Sequence, residues 1–169
     1  MSRKSLRGGV AIAFALALGC GAPATGQMFG SYDATVTLST GTPVQISGYA
    51  KSFEMRPVQK WHAMLMTPGG GSSLQVAYSG ARPPIGEHDI VDWEGAGGDP
   101  PTGKFIITGN VDPQLLILTG FHSIKGKIVV TASTAASVEG TFHYTARGAQ
   151  NGQVITVDGS FTTINEVNR

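Results

Sequence analysis

The chain has 169 residues, 12 basic and 11 acidic, with 24 glycines, nine prolines and a single cysteine. That is one domain's worth of sequence, enough for one core. A charged fraction of only 14% and a balance close to neutral exclude the basic surface that nucleic-acid binding requires, and one cysteine excludes an internal disulfide.

The first segment is a leader in character. Arg3, Lys4 and Arg7 precede an apolar run from Val10 to Leu18, which is too short to span a bilayer, since that takes about 20 apolar residues. An export signal is predicted over residues 1–19. Leu16-Ala17-Leu18-Gly19-Cys20 resembles a bacterial lipobox, and the resemblance implies cleavage before Cys20 and acylation of its thiol. The rival is a cut after Ala24, in the A-x-A context of Ala22-Pro23-Ala24. An unpaired thiol is a liability in an oxidising compartment unless it has a use, which favours lipidation of Cys20. Cleavage there leaves 150 residues carrying nine basic and 11 acidic groups, a net charge near −2. Residues 20–30, rich in Gly, Ala, Pro and Thr, read as a flexible tether, and residues 31–169 as one domain.

Within that domain the apolar period is two. Tyr32, Ala34, Val36 and Leu38 alternate with polar residues, and Thr40-Gly41-Thr42-Pro43 then turns the chain. A second strand is predicted over Val44–Phe53, where Gly48 marks a bulge or a close backbone approach. The third, Lys60–Thr67, is apolar on both faces: Trp61, Ala63 and Leu65 on one, His62, Met64 and Met66 on the other. Pro68–Ser72 is a loop, Leu74–Ser79 a fourth strand and His88–Trp93 a short fifth. Glu94–Gly103 suits neither regular form and reads as a mobile loop or a lid. Phe105–Thr108, Leu115–Phe121 and Lys127–Ala132 follow as strands, with Ser123–Gly126 as punctuation.

The closing stretch predicts a β-hairpin. Val138, Gly140, Phe142, Tyr144 and Ala146 share one face of a strand. Asn151-Gly152 suits a two-residue type I′ turn, because both central residues need positive φ. That turn sets Ala146 against Val157, Tyr144 against Gly159 and Phe142 against Phe161, so the apolar residues of both strands share a face. About ten short strands with regular turn signals predict an all-β antiparallel sandwich, with a small closed barrel as the alternative.

From Pro83 onward the signals resemble those of a group of bacterial secreted proteins and lipoproteins of unknown function. They comprise Pro84-Ile85-Gly86-Glu87-His88, the strand Gly126-Lys127-Ile128-Val129-Val130-Thr131, Gly140-Thr141-Phe142-His143-Tyr144-Thr145-Ala146 and a closing Gly159-Ser160-Phe161. The resemblance covers about the last half of the chain and implies an export-type β domain; it brings with it no catalytic residues and no ligand.

Three clusters carry chemistry. His62, Met64 and Met66, at i, i+2 and i+4 of a strand, set an imidazole and two thioethers on one face, soft ligands suited to Cu(I). The set is similar to the H-x-M element of periplasmic copper chaperones; its plainer meaning is packing. Glu87, His88, Asp89 and Asp92 read as a charged sheet edge rather than an acid–base cluster. His122 and His143 read as solvent-facing. No nucleophile elbow, zincin helix, phosphate loop or C-x-x-C is present. The resulting expectation is a non-enzymatic interaction or structural module of the cell envelope, tethered to a membrane through Cys20, with no cofactor. A small-molecule or copper-binding module is the alternative.

Overall fold

The computed structural model describes residues 29–38, 41–55, 57–111, 120–150 and 152–166. The leader, Cys20, most of the tether, the Leu115–Leu118 run and Asn151 lie outside the described residues. Nine strands are described: β1 (Gly30–Leu38), β2 (Val44–Met55), β3 (Lys60–Met66), β4 (Ser73–Ser79), β5 (Gly86–Ile90), β6 (Phe105–Asn110), β7 (Phe121–Ser133), β8 (Ser137–Gly148) and β9 (Val154–Asn165).

The expected sandwich gives way to its alternative, a closed barrel in the order β1-β2-β3-β4-β6-β5-β7-β8-β9. Closure comes from β1, which pairs antiparallel with both β2 and β9. Alternation along a strand is the same in a sandwich and a barrel, so the pattern does not distinguish them. What permits the curvature is glycine where backbones crowd. A Cβ at Gly48 would stand 2.0 Å from the Met66 carbonyl oxygen, and the flanking registers run without a shift. Gly48 is therefore a close approach, not a bulge.

The interior is filled by side chains. Alternate residues of every long strand point inward, among them Tyr32, Trp61, Leu65, Leu74, Phe105, Phe121, Ile128, Phe142, Tyr144 and Phe161, all within 3% of full burial. The outer wall carries the charges. One row crosses four strands as Asp89, Lys127, His143 and Asp158, with Lys127 2.9 Å from both Glu87 and Asp89 and His143 bonded to Asp158. Apolar inside and charged outside is the inverse of a barrel that faces lipid. Among the described residues no helix is long and apolar enough to cross a membrane.

The terminal hairpin forms on the expected faces but two residues out of the expected register. Ala146 pairs with Ile155, Tyr144 with Val157, Phe142 with Gly159 and Gly140 with Phe161. The connection is longer than a two-residue turn. Gly148 donates to the Gln153 carbonyl (2.8 Å) and Gly152, at φ 67°, donates to that of Gly148 (3.0 Å). A slip of two preserves side-chain parity, so every apolar residue still faces in. Phe142 lies over Gly159 and still stacks against Phe161, ring centres 6.2 Å apart.

Ser123–Gly126 does not break the chain as expected. β7 runs through it with a register irregularity between Ser123 and Lys125. The irregularity accommodates a fork. Near one rim β6 pairs directly with β7 (Thr108 with His122, Gly109 with Phe121); towards the other, β5 is wedged between them. The fully buried Ser123 closes the fork, its hydroxyl accepting from Ile107 N–H (3.1 Å) and donating to the Val91 carbonyl (2.7 Å). β5 pairs with β7 along its length but with β6 only at Ile90, and Glu87 and Asp89 beside it are both paired with Lys127.

Candidate functional site

Past the fork the chain has no place left in the sheet and turns out onto the wall. Trp93 N–H bonds the Ser123 carbonyl (3.0 Å), and Asp92 caps the departing turn through Glu94 N–H (3.1 Å). The Glu94–Gly103 stretch is neither strand nor open loop. It is a chain of turns, with Ala96 bonded to Asp92, Gly97 to Glu94, Gly98 to Trp93 and Asp99 to Ala96, and Gly97 and Gly98 at positive φ. Lys60 anchors it through Asp99 at 2.6 Å.

This excursion makes the site. Trp93 stacks on His122 (ring centres 5.4 Å, 28° between planes), and the Glu94 carboxylate lies 3.3 Å from His122 Nε2. His122, expected to face solvent, is only 7% exposed because the indole lies over it. Beside the stack is a groove of about 360 Å³, lined also by Ser73, Gln75, Thr108 and Asn110 of β4 and β6. These residues converge because cross-strand neighbours share a face: Gln75 pairs with Thr108, and Thr108 with His122. The set offers an aromatic wall, a carboxylate, an imidazole and neutral hydrogen-bonding side chains, with a volume inside the usual range for small-ligand sites.

The other cavities carry less. A shallow depression of about 550 Å³ on the wall of β5, β7 and β8 is lined by Asp89, Lys127, His143 and their neighbours; Asp89 pairs with Lys127 within it, and His143 with Asp158 beside it. Inside the barrel Tyr32 Oη, Tyr144 Oη and Trp61 Nε1 lack hydrogen-bond partners. Burial, then the charge of Asp33, pushes the Tyr32 phenol up to about 12. Burial, reinforced by Tyr32, drives Tyr144 further the same way.

The residues singled out from sequence fall as follows. His62, Met64 and Met66 do share the outer face of β3, all half-buried, while Trp61, Ala63 and Leu65 face in. The imidazole stacks flat on Phe53 (5.6 Å, 10°), with Nε2 buried and unpartnered. Burial, followed by Lys60, lowers the His62 pKa, while Asp99 opposes the shift. Among the described residues no group of three or more His, Cys, Asp or Glu side chains could hold a metal ion. Phe142, Tyr144, Gly159 and Phe161 form the hairpin's inner face. His88 does not join Glu87 and Asp89: it turns inward, contacts Tyr78 and Phe105, and bonds the Pro84 carbonyl at 2.8 Å. Sequence reading missed Trp93 and Glu94 as site residues; the available signal was an indole and a carboxylate placed where a strand gives way to a glycine-rich stretch.

Comparison with protein families, curated proteins and solved structures finds no match to the chain.

Proposed function

We propose that the chain is an exported, lipid-anchored β-barrel of the bacterial cell envelope that works by binding rather than by catalysis, and that the Trp93–Glu94–His122 groove is its binding site. The observation that carries the reading is the pairing of a stacked indole and imidazole with a carboxylate 3.3 Å from Nε2, beside a groove of small-molecule size. The basic leader, the lipobox-like Leu16–Cys20 and the lone cysteine support export and anchoring. A closed barrel with a filled interior leaves its outer wall and rims for recognition. The groove suits a small polar ligand: a flat face against the indole, hydrogen-bonding groups towards Ser73, Gln75 and Thr108, and a positive or donor group at Glu94.

Two measurements test this. Mass spectrometry of protein extracted from membranes should show a diacylglycerol-type adduct on Cys20; a mature N-terminus at Thr25 would overturn the anchor. Trp93 and Trp61 are the two indoles of the chain, and Trp61 is fully buried, so a ligand-dependent change in indole emission reports the groove. Across a panel of amino acids, polyamines and sugars, at least one should give a saturable change that disappears in Trp93→Phe and weakens about tenfold or more in Glu94→Gln, the loss expected for a charge-assisted bond. No saturable change across the panel would refute the groove as the site.

A further inference from the structure

Among the described residues the two rims of the barrel differ in chemistry. β1 leaves one rim, which is built from the β2–β3 turn, the β4–β5 connection and the β7–β8 turn. Large apolar side chains are exposed at its tips: Met55 at 44%, Val58 at 55% and Ile85 at 67%. Ile85 is the most exposed large hydrophobic of the described residues. At the opposite rim the described residues are Gly41-Thr42-Pro43, Val111, Gly120, Pro68–Ser72, Ala149, Gln150, Gly152 and Gln153, with residues 112–119 outside the described ones; among those described there, Val154 alone is a large exposed hydrophobic.

The apolar tips are held rather than loose. The β2–β3 turn passes through Gln59 at φ 52°, a left-handed conformation unusual outside glycine, which sets Val58 at the crest. Pro83-Pro84 holds the other tip extended, and Ser133 Oγ ties it down through the Pro83 carbonyl at 2.6 Å. The two segments meet. Lys60 bridges to Gly80, and a cleft of about 450 Å³ lies between Glu54, Met55, Pro57 and Gln59 on one side and Ala81 on the other, so one carboxylate stands among the apolar tips. Arg82 stands exposed beside them, with no ion-pair partner among the described residues.

We infer that this rim docks on an anionic bilayer surface, with Val58 and Ile85 entering the interface and Arg82 meeting lipid phosphates. The inference rests on the anchoring reading above, because β1, which follows the tether, begins at this rim. β1 begins at Gly30 with its N-terminal end towards this rim, and the ten residues from Cys20 to Phe29 span at most about 35 Å when extended. An acylated Cys20 therefore holds the rim within reach of the bilayer. Exposed aliphatic tips with a neighbouring cation are the chemistry that binds an anionic interface. The groove of Trp93, Glu94 and His122 lies towards the opposite rim, beside Ser73, Asn110 and Ala149, and so faces away from the membrane.

The lone cysteine makes the test clean. In the anchored protein Cys20 is blocked, so a thiol introduced at Val58→Cys, Ile85→Cys or Gln150→Cys takes a polarity-sensitive dye at one site only. The purified full protein is reconstituted into vesicles of phosphatidylcholine with phosphatidylglycerol. A blue shift is expected for dyes at 58 and 85, none for a dye at 150, and partial reversal in 1 M salt. Dyes at 58 and 85 that stay as water-exposed as the one at 150 overturn the inference. So does a blue shift already complete without vesicles, which means a second copy covers the rim. Failure of the anchor is separately visible: the parent protein then either takes dye at an unblocked Cys20 or begins at Thr25 and takes none, and carries no lipid adduct, and the three variants, labelled on a Cys20→Ser background and added to vesicles from solution, must still show the same contrast or the docking falls too.

Discussion

Replacing Ser123 by Ala removes a hydroxyl that closes two gaps in the backbone ladder at once. Its bonds to Ile107 N–H (3.1 Å) and the Val91 carbonyl (2.7 Å) span the fork where β5 is wedged between β6 and β7. Ile107 is fully buried, so its N–H is left with nothing to bond, at a cost of about 1–3 kcal/mol. The Val91 carbonyl is half-buried and can recover some hydration, which adds roughly 0.5 kcal/mol. The total, about 2–3 kcal/mol, corresponds to a fall in Tm on the order of 10 °C for a domain of this size. Urea titration followed by circular dichroism measures the global loss, with Ser160→Ala on the exposed face of β9 as a control expected to change stability by less than about 0.5 kcal/mol. Because Ser123 also receives Trp93 N–H at its carbonyl, indole emission in Ser123→Ala should change at lower urea than the circular dichroism signal. A loss below about 0.5 kcal/mol with an unchanged urea slope would refute the fork as the point where β5 and the Trp93 turn are secured.

Three other outcomes follow from the same geometry. Unfolded phenols titrate near 10, whereas folding lifts Tyr32 to about 12 and pushes Tyr144 in the same direction. The stability tied to them is whole below about pH 10 and is lost as pH rises through the folded values, some 2–3 kcal/mol for Tyr32 alone. Tyrosinate absorbance should therefore appear together with unfolding between about pH 10 and 12, and Tyr32→Phe should move that transition upward; phenols that titrate near 10 in a folded barrel would contradict this. Gly159→Ala should cost about 1–3 kcal/mol, since its new Cβ would stand 2.6 Å from both the Asp33 carbonyl and Phe142 Cζ, and chemical denaturation that finds it neutral would show that the Phe142 ring shifts freely. Burial against Phe53 lowers the His62 pKa, so stability is whole above about pH 6.5 and falls as pH drops through that value towards the folded pKa. In His62→Phe the dependence on pH over that window should flatten, and an unchanged slope would move its origin elsewhere.

The period-two pattern places the strands well because each strand has one apolar face, and that constraint is local. Trp61, Ala63 and Leu65 on one side of β3, with His62, Met64 and Met66 on the other, are where the alternation predicts them. Register is less local. Asn151-Gly152 suggests the tightest turn, but Gly148 and Gln153 bond across a wider one, and a two-residue slip leaves the hydrophobic face intact, so burial does not resist it. Closure is less local still. Whether β1 meets β9 depends on the curvature summed over the whole sheet, and its sequence trace is only a scatter of glycines such as Gly48 and Gly159 that also read as ordinary turn or bulge residues.

The groove was illegible for a related reason. Ser73, Trp93, Glu94, Thr108 and His122 come from four separate stretches, and three of the five sit on the outer faces of strands, where polar residues signal only solvent. What joins them is the wedging of β5. A strand of five residues inserted between β6 and β7 must end where those two strands meet, and the chain that follows is expelled onto the wall. Trp93 then stacks on His122, and the pair buries ring surface that both would otherwise expose. Seen this way, the glycines at 97 and 98 serve to turn the chain back tightly enough to keep Glu94 beside the imidazole, and the site is a consequence of topology before it is one of composition.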